Sequence, residues 1–291
     1  MMTPITHTLS IILPCLNEAE SLKILLPALR HHQPEAEIIV VDDGSSDDSV
    51  AVAHAAQVTV IRHAYRMGNG AAIKTGARAA TGDILVFMDA DGQHQPQDVA
   101  RLLALLMDSG HDMVVGARDR ASQASLGRSL ANGFYNRLAS SMVGHSIADL
   151  TSGFRAVKAQ RFREFMSLLP NSFSYPTTIT MAFFRAGYSV AYVEIKAPKR
   201  IGKSHINPLK DGIRFLIIIF KIGTLYSPLK IFGPLSLSFF ILGLSYYGYT
   251  FSTDGRFTNM GALLFITAIL IFLIGLVSEQ ITQLLYKKDE K

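Results

Sequence analysis

Two long uncharged runs near the carboxyl end, residues 231–251 and 257–278, constrain this 291-residue chain more than any other feature. Each reaches the roughly 20 apolar residues that an α-helix needs to cross a hydrocarbon core about 30 Å thick. Gly233, Pro234 and Gly243 fall within the first run, and membrane helices tolerate both residue types. The segment joining the runs is short and carries one basic residue, Arg256. Lys230 precedes the first run, and Lys287, Lys288 and Lys291 follow the second. Basic residues favour the cytoplasmic side of a bilayer. The expectation is a two-helix transmembrane hairpin within residues 229–291, with a short tail and both ends cytoplasmic.

Residues 1–206 have a different character. Short β-rich runs (9–13, 38–41, 58–61, 84–88, 113–115 and 190–195) alternate with helix-like stretches (19–31, 48–56, 69–80, 96–108 and 127–142). That alternation, with short polar connections, predicts an α/β domain whose mostly parallel sheet is covered on both faces. Apolar runs such as Ile38-Ile39-Val40-Val41 fit strands buried on both sides. The run 9–13 has no basic leader before it and reads as a strand, not a signal peptide. The single cysteine, Cys15, excludes an intrachain disulfide or a cysteine zinc cluster, and reads as a packed residue in a reducing, cytoplasmic compartment.

Residues 207–228 belong to neither class. Lys210, Arg214 and Lys221 fall within about 40° of one another on a helical wheel, and most of the remaining positions are apolar. One basic stripe and a broad apolar surface predict an amphipathic helix lying in the membrane interface. Between positions 196 and 230 there are eight lysines and arginines against the single acid Asp211. Such a stretch suits phosphates or anionic lipid. No nucleic-acid motif accompanies the charge, so nucleic acid is not an expected partner.

The residues able to do chemistry stand at the ends of predicted strands, where open α/β sheets bind their ligands. Asp89-Ala90-Asp91-Gly92-Gln93 follows the strand 84–88 directly. Two carboxylates one residue apart, on a turn eased by Gly92, can converge on one Mg2+ or Mn2+, with Gln93 adding a neutral oxygen. Asp42-Asp43-Gly44-Ser45 follows the strand 38–41, and Pro14-Cys15-Leu16-Asn17-Glu18 closes the strand 9–13. Carboxylates there can accept hydrogen bonds from a base or a ribose, or Asp43 and Ser45 build a turn while Asp47 caps the next helix. Gly68-Asn69-Gly70 and Lys74-Thr75 lack the further glycines of dinucleotide and P-loop motifs. Gly70, Ala71 and Gly76 read as close-packing positions, and Lys74 is retained as a candidate substrate contact. His63, His94 and His145 have no metal-ligand spacing and read as solvated loop residues.

Taken together, Pro14…Asn17-Glu18, Asp42-Asp43-Gly44-Ser45, Gly68-Asn69-Gly70, Asp89-Ala90-Asp91-Gly92-Gln93 and Ser152-Gly153-Phe154-Arg155 resemble the family 2 glycosyltransferases. Within them the likeness is to the branch of dolichyl-phosphate mannose synthases and bacterial polyprenyl-phosphate glycosyltransferases. The resemblance covers essentially the whole chain, including the membrane hairpin. It implies a GT-A type fold and inverting transfer of a sugar from a nucleotide-sugar, UDP-linked or GDP-linked, to polyprenyl (undecaprenyl) phosphate. It assigns Pro14, Glu18 and Asp42 to the nucleoside and Asp89, Asp91 and Gln93 to the metal, with Asn17, Asp43, Gly44, Ser45, Ala90 and Arg155 among the substrate contacts. Arg118 and Arg128 match the arginines that handle phosphates. Ala117 and Asn132 stand where serines are usual, and Gly202-Lys203-Ser204 resembles the basic loop over the phosphates. Members of this branch are often oligomeric, so a homo-oligomer is among the implied partners.

An acceptor phosphate is already ionised near neutral pH, so cations and positioning can replace a general base. Asp149 orients a sugar, acts as a base, or caps a turn. Two rival functions have their own signatures. A processive glycan synthase would carry a Gln-x-x-Arg-Trp element, and the chain has no tryptophan. A catalytically silent nucleotide-sugar-binding membrane protein would not need Asp89, Asp91 and the arginines.

Overall fold

The computed structural model describes residues 7–118, 126–171, 174–196, 217, 220, 223–224 and 227–287, with side chains omitted at 126–132 and 285–287. The chain separates into two compact units, Met1–Ser140 with His145–Ile206, and Asn207–Lys291 with Ser141–Gly144.

The first unit runs β1 (Leu9–Cys15), α1 (Ala19–His32), β2 (Glu37–Asp42), α2 (Ser49–Ala55), β3 (Thr59–Arg62), α3 (Asn69–Ala79), β4 (Ile84–Phe87) and α4 (Asp98–Asp108). It continues through β5 (Met113–Arg118), α5 (Leu126–Val143), β6 (Arg155–Lys158), α6 (Ala159–Glu164), α7 (Tyr175–Arg185) and β7 (Val190–Ile195). The strands form one seven-stranded sheet in the order β3-β2-β1-β4-β6-β5-β7. All pairings are parallel except those of β6, which runs antiparallel to β4 and β5. The sheet is thus mostly parallel, as its apolar runs predict.

Burial explains the layering. Ile11, Ile12 and Leu13 of β1 and Leu85, Val86 and Phe87 of β4 have no exposed surface, as expected of strands covered on both faces. Helix α1 buries Leu22, Leu25, Leu26 and Leu29, each contributing about 2 kcal/mol by removal from water. Gly76 brings α3 onto the sheet, because a Cβ there would fall inside the Ile12 side chain and 3.2 Å from Val41 Cγ2. Gly68, at φ 104°, makes the turn into that helix.

The antiparallel entry of β6 matters most for the site. Its first residue, Arg155, pairs with Phe87 at the end of β4 and with Val115 of β5. The preceding segment Ser152-Gly153-Phe154 is thereby delivered to the edge where β4 ends.

In the second unit, α8 (Pro228–Asp254) and α9 (Asn259–Lys287) form a hairpin. Gly243 lets the helices close, with a would-be Cβ 3.2 Å from Leu264 Cβ, and Ser236 Oγ donates to the Ala268 carbonyl at 2.7 Å. Gly255, at φ 61°, ends α8 with its amide on the Phe251 carbonyl. Both helices are long and apolar enough to cross a membrane, and most of their surface faces outward. Outward-facing Leu237, Ile241, Ile266 and Ile274 are each more than half exposed, which separates the pair from a buried soluble core. The predicted interfacial segment, 207–228, lies almost entirely outside the described residues.

Candidate functional site

The carboxyl ends of β1, β2 and β4 lie along one edge, since the three strands are parallel with Cys15 opposite Asp42 and Ile12 opposite Phe87. Backbone pairing continues just past them. The Asp43 amide donates to the Cys15 carbonyl at 2.8 Å, and the Met88 amide to the Ile12 carbonyl at 3.1 Å. The three polar loops therefore leave the sheet from fixed backbone.

On the β1–β2 side, Asp42 has no exposed surface and accepts the Ser45 amide on both oxygens at 3.1 and 3.2 Å. Arg62 Nε approaches the same carboxylate at 3.3 Å from a largely exposed guanidinium. Ser45 Oγ accepts the Asn17 amide at 2.9 Å, and Asn17 Oδ1 accepts the Ser46 amide at 2.8 Å. Asn17 adopts φ 57°, a left-handed conformation that asparagine tolerates. Asp43 is engaged elsewhere: it meets His63 Nδ1 at 2.8 Å and accepts the amides of Met67 and Gly68 at 2.7 and 2.8 Å. Gly44, at φ 83°, lies against the backbone of that same turn, its would-be Cβ 3.3 Å from the Arg66 nitrogen. Asp47 accepts the amides of Ala19 and Ser49, joining the first turns of α1 and α2. Pro14 and Glu18 are half-buried at the end of β1. Asp43 and Ser45 therefore build the loops, which is the turn role that their residue types allow.

On the β4 side, Asp89 and Asp91 are half-buried. Asp91 Oδ1 accepts the Gln93 amide at 3.1 Å, closing the turn over Gly92 at φ 75°. The Asp89 carboxylate lies on Gly153: a Cβ there would sit 2.8 Å from Asp89 Oδ2 and 3.2 Å from Cγ and Oδ1. Beside it, Arg118 grips Asp149 with two bonds, Nε to Oδ2 at 2.8 Å and Nη2 to Oδ1 at 3.1 Å, and adds Thr151 Oγ1 at 2.7 Å. Burial raises the Asp149 pKa, but the Arg118 hydrogen bond and charge, with the Thr151 and Arg118 amides, outweigh it and hold the carboxyl below its usual range. Burial likewise opposes the Arg118 charge, and Asp149 reverses that effect. Asp149 also accepts the amides of Thr151 and Ser152 at 3.0 and 3.1 Å, so it caps this turn and orients Arg118 at once. Ser152 Oγ donates to the Gly116 carbonyl at 2.6 Å, and the Gly116 amide donates to the Phe154 carbonyl at 2.9 Å. The Gly116-Ala117-Arg118 and Ser152–Arg155 segments are thus one structure.

Among the described residues, no group of three or more His, Cys, Asp or Glu side chains gathers as a metal centre. The donor set expected for a cation, the two carboxylates with Gln93, is a hard oxygen set of the kind suited to Mg2+ or Mn2+. The bare Cα of Gly153 keeps the space that the Asp89 carboxylate occupies, and the residues fit such an ion.

Several expectations change. His63 and His94 are not solvated. His63 bridges Asp43 and Thr75, while His94 is buried, stacks on Phe154 at 4.9 Å and accepts the Asp89 amide on Nδ1 at 3.3 Å. Burial pushes the His94 pKa down to about 4, leaving the ring neutral as that acceptor requires. His145 is exposed and stacks on Phe184. Lys74 is turned to the segment before α7, donating to the Leu169 carbonyl at 2.9 Å and Asn171 Oδ1 at 2.6 Å. The Ala90 methyl is in the core, so only its backbone faces the loop. Arg155 has no exposed surface and its guanidinium bonds to protein groups, which removes it from direct substrate contact. Cys15 is buried, and burial pushes its thiol up to about 11, as for a packed residue. The side chains of Arg128 and Asn132, and Lys203 and Ser204 altogether, lie outside the described residues.

Comparison with known proteins adds a lineage to this geometry. The family model "Glycosyl transferase family 2" matches residues 10–165, and the model "GtrB C-terminal hairpin" matches residues 227–284. A polyprenol monophosphomannose synthase of Mycolicibacterium smegmatis is 30% identical over 217 residues, covering 68% of this chain and 79% of the relative. An undecaprenyl-phosphate mannosyltransferase of Micrococcus luteus is 30% identical over 214 residues, covering 67% and 86%. Among solved structures, glucosyl-3-phosphoglycerate synthase from Mycobacterium tuberculosis, in complex with Mn2+, UDP-glucose and phosphoglyceric acid, superposes with a TM-score of 0.62. That likeness, at 20% identity over 75% of this chain and 80% of the other, is one of fold, and the fold is GT-A-like.

Proposed function

The chain belongs to glycosyltransferase family 2, and we propose that it moves a hexose from a nucleoside-diphosphate sugar to polyprenyl phosphate at the cytoplasmic face of a membrane. The observation that carries this reading is the Asp89 carboxylate lying on bare Gly153 beside the Arg118–Asp149 pair, where β4 ends. The names of the two relatives, one a polyprenol monophosphomannose synthase and the other an undecaprenyl-phosphate mannosyltransferase, support the acceptor class. The apolar hairpin supports a membrane-bound acceptor.

In this reading Asp89, Asp91 and Gln93 would hold one Mg2+ or Mn2+, which would supply charge to favour departure of the diphosphate. Pro14, Asn17 and Glu18 receive the nucleoside, and Asp42, which has no exposed surface, holds the Ser45 turn beside them. An oxygen of the acceptor phosphate forms the new bond to the anomeric carbon from the face opposite the leaving group. The bond from that carbon to the diphosphate oxygen breaks, and the nucleoside diphosphate leaves with the electron pair. The attacking phosphate oxygen is already ionised near neutral pH, so no general base is required. Asp149, committed to Arg118, fits that absence of a base: it positions an arginine. Arg118, with Arg128 and Lys203 by family resemblance, orients the phosphates.

A UDP-hexose is the first donor to test. GDP-mannose is the second, because both relatives are named for mannose. Basic residues before the first span and after the second support cytoplasmic ends for the hairpin. The test is release of nucleoside diphosphate by the purified full-length protein, with and without undecaprenyl phosphate. Release only with the lipid is expected. Release driven instead by a free sugar or a growing polymer would overturn the acceptor and favour a glycan synthase.

A further inference from the structure

Among the described residues Arg155 is one of the largest side chains without exposed surface, and burying a guanidinium is expensive unless its hydrogen bonds are met. Here Nη1 and Nη2 are met by neutral groups, while Nε is buried without a hydrogen-bond partner. Nη2 donates to the Ser152 carbonyl, and Nη1 to the Pro176 carbonyl and Thr180 Oγ1, each at 3.2 Å. The guanidinium carbon stands 5.7 Å from the centre of the Tyr175 ring. Tyr175, itself buried at the start of α7, donates its hydroxyl to the Gly153 carbonyl at 3.2 Å. The two carbonyls that flank the Gly153 Cα are therefore each held, one by Arg155 and the other by Tyr175. That Cα is the surface on which the Asp89 carboxylate lies. A strand of ordinary packing would be served as well by an apolar residue of similar volume, so the charge at position 155 calls for another reason.

We propose that Arg155 and Tyr175 form a clamp that fixes the Gly153 peptide and thereby sets the position of Asp89 as a metal ligand. Both are positioning residues, and neither touches substrate. The clamp adds a favourable charge as well as geometry, because the buried guanidinium interacts electrostatically with Asp89 and Asp149. Thr180 belongs to the same device, since its hydroxyl accepts from Arg155 while donating to the Pro176 carbonyl at 2.8 Å. The inference rests on the metal role of Asp89 proposed above.

The test is Mn2+ binding to the full-length protein in detergent, read by electron paramagnetic resonance in the presence of UDP and again of GDP. It compares wild type, Asp89→Asn, Arg155→Lys, Tyr175→Phe and Thr180→Val. Loss of a group that orients a metal ligand lowers metal affinity by roughly 10- to 100-fold. Arg155→Lys and Tyr175→Phe are expected to weaken Mn2+ about 10-fold while unfolding cooperatively on heating, and Asp89→Asn to abolish binding. If Arg155→Lys does not fold, Tyr175→Phe and Thr180→Val carry the same test. Folded clamp variants that bind Mn2+ as wild type does, beside an Asp89→Asn that no longer binds it, would overturn the clamp alone. Equal binding by wild type and Asp89→Asn would overturn the metal reading and the clamp with it.

Discussion

Gly153→Ala isolates the contact between the Ser152–Arg155 turn and the metal-side carboxylate. The new methyl carbon would stand 2.8 Å from Asp89 Oδ2, whereas ordinary contact begins near 3.4 Å. The oxygen must retreat by about 0.6 Å to restore a normal carbon–oxygen separation. Asp89 is half-buried and can rotate about its side-chain bonds, at a cost of about 1 kcal/mol for an off-rotamer shift of this size. Folding therefore survives, with a fall in Tm of only a few degrees. Metal ligation tolerates much less, about 0.2 Å in ligand distance. A misplacement approaching 1 Å at a reacting centre costs on the order of 100-fold in rate, equivalent to about 2.7 kcal/mol of transition-state stabilisation. The assay is the initial rate of label transfer to undecaprenyl phosphate at saturating Mn2+, with Tm measured on the same preparation. A folded variant that turned over within about threefold of wild type would refute the placement of Asp89 as a ligand, judged against the 100-fold expected from displacement.

Further expectations follow from the same geometry. Asp91→Asn should lose turnover while remaining folded and membrane-bound, as circular dichroism and membrane flotation would report; near-normal turnover would remove Asp91 from the metal. Asp149→Asn leaves Arg118 without its paired charge, so a loss of about 3 kcal/mol in stability is expected, together with a marked fall in kcat. The pH dependence has a definite sign. The Asp149 pKa is depressed in the fold, so its stabilisation is complete above the unfolded value near about 4 and disappears as pH falls through the lower folded value. Tm measured from pH 7 downward should therefore fall more steeply in wild type than in Asp149→Asn, and parallel curves would contradict the pairing. Lys74→Met removes the bonds to Leu169 and Asn171, lowering Tm by a few degrees without changing the donor KM. A large rise in that KM would return Lys74 to the donor site.

Much of the fold was legible because parallel strands buried on both faces read as unbroken apolar runs. The run 38–41 lies within β2, and the run 84–88 ends one residue beyond β4. The strand that escaped is β6. Its four residues begin with Arg155 and end with Lys158, so it offers no apolar run, and nothing local says that its arginine is buried. The second apolar run stopped at Ser278 because Glu279 follows, yet the helix continues to Lys287: one charge ends a hydropathy run without breaking a helix. At the site, Asp89 and Asp91 were visible because they share one turn after one strand. Their surroundings were not, since Gly153 reaches that turn through the antiparallel entry of β6, while Arg118 comes from the end of β5 and Tyr175 from the start of α7. The neutral acceptor at His94 was hidden for the same reason, because burial is set by Phe154, far along the chain.

Transfer of a radiolabelled sugar to lipid is the most direct test of the central claim. The full-length protein in phospholipid vesicles would be given Mn2+, undecaprenyl phosphate and, one at a time, UDP- and GDP-linked hexoses. The account predicts label in an organic-extractable sugar phosphate lipid with one of these donors, dependent on the metal and absent with Asp91→Asn. Label that appears in a polymer, or on lipid in equal amount with Asp91→Asn, would contradict it.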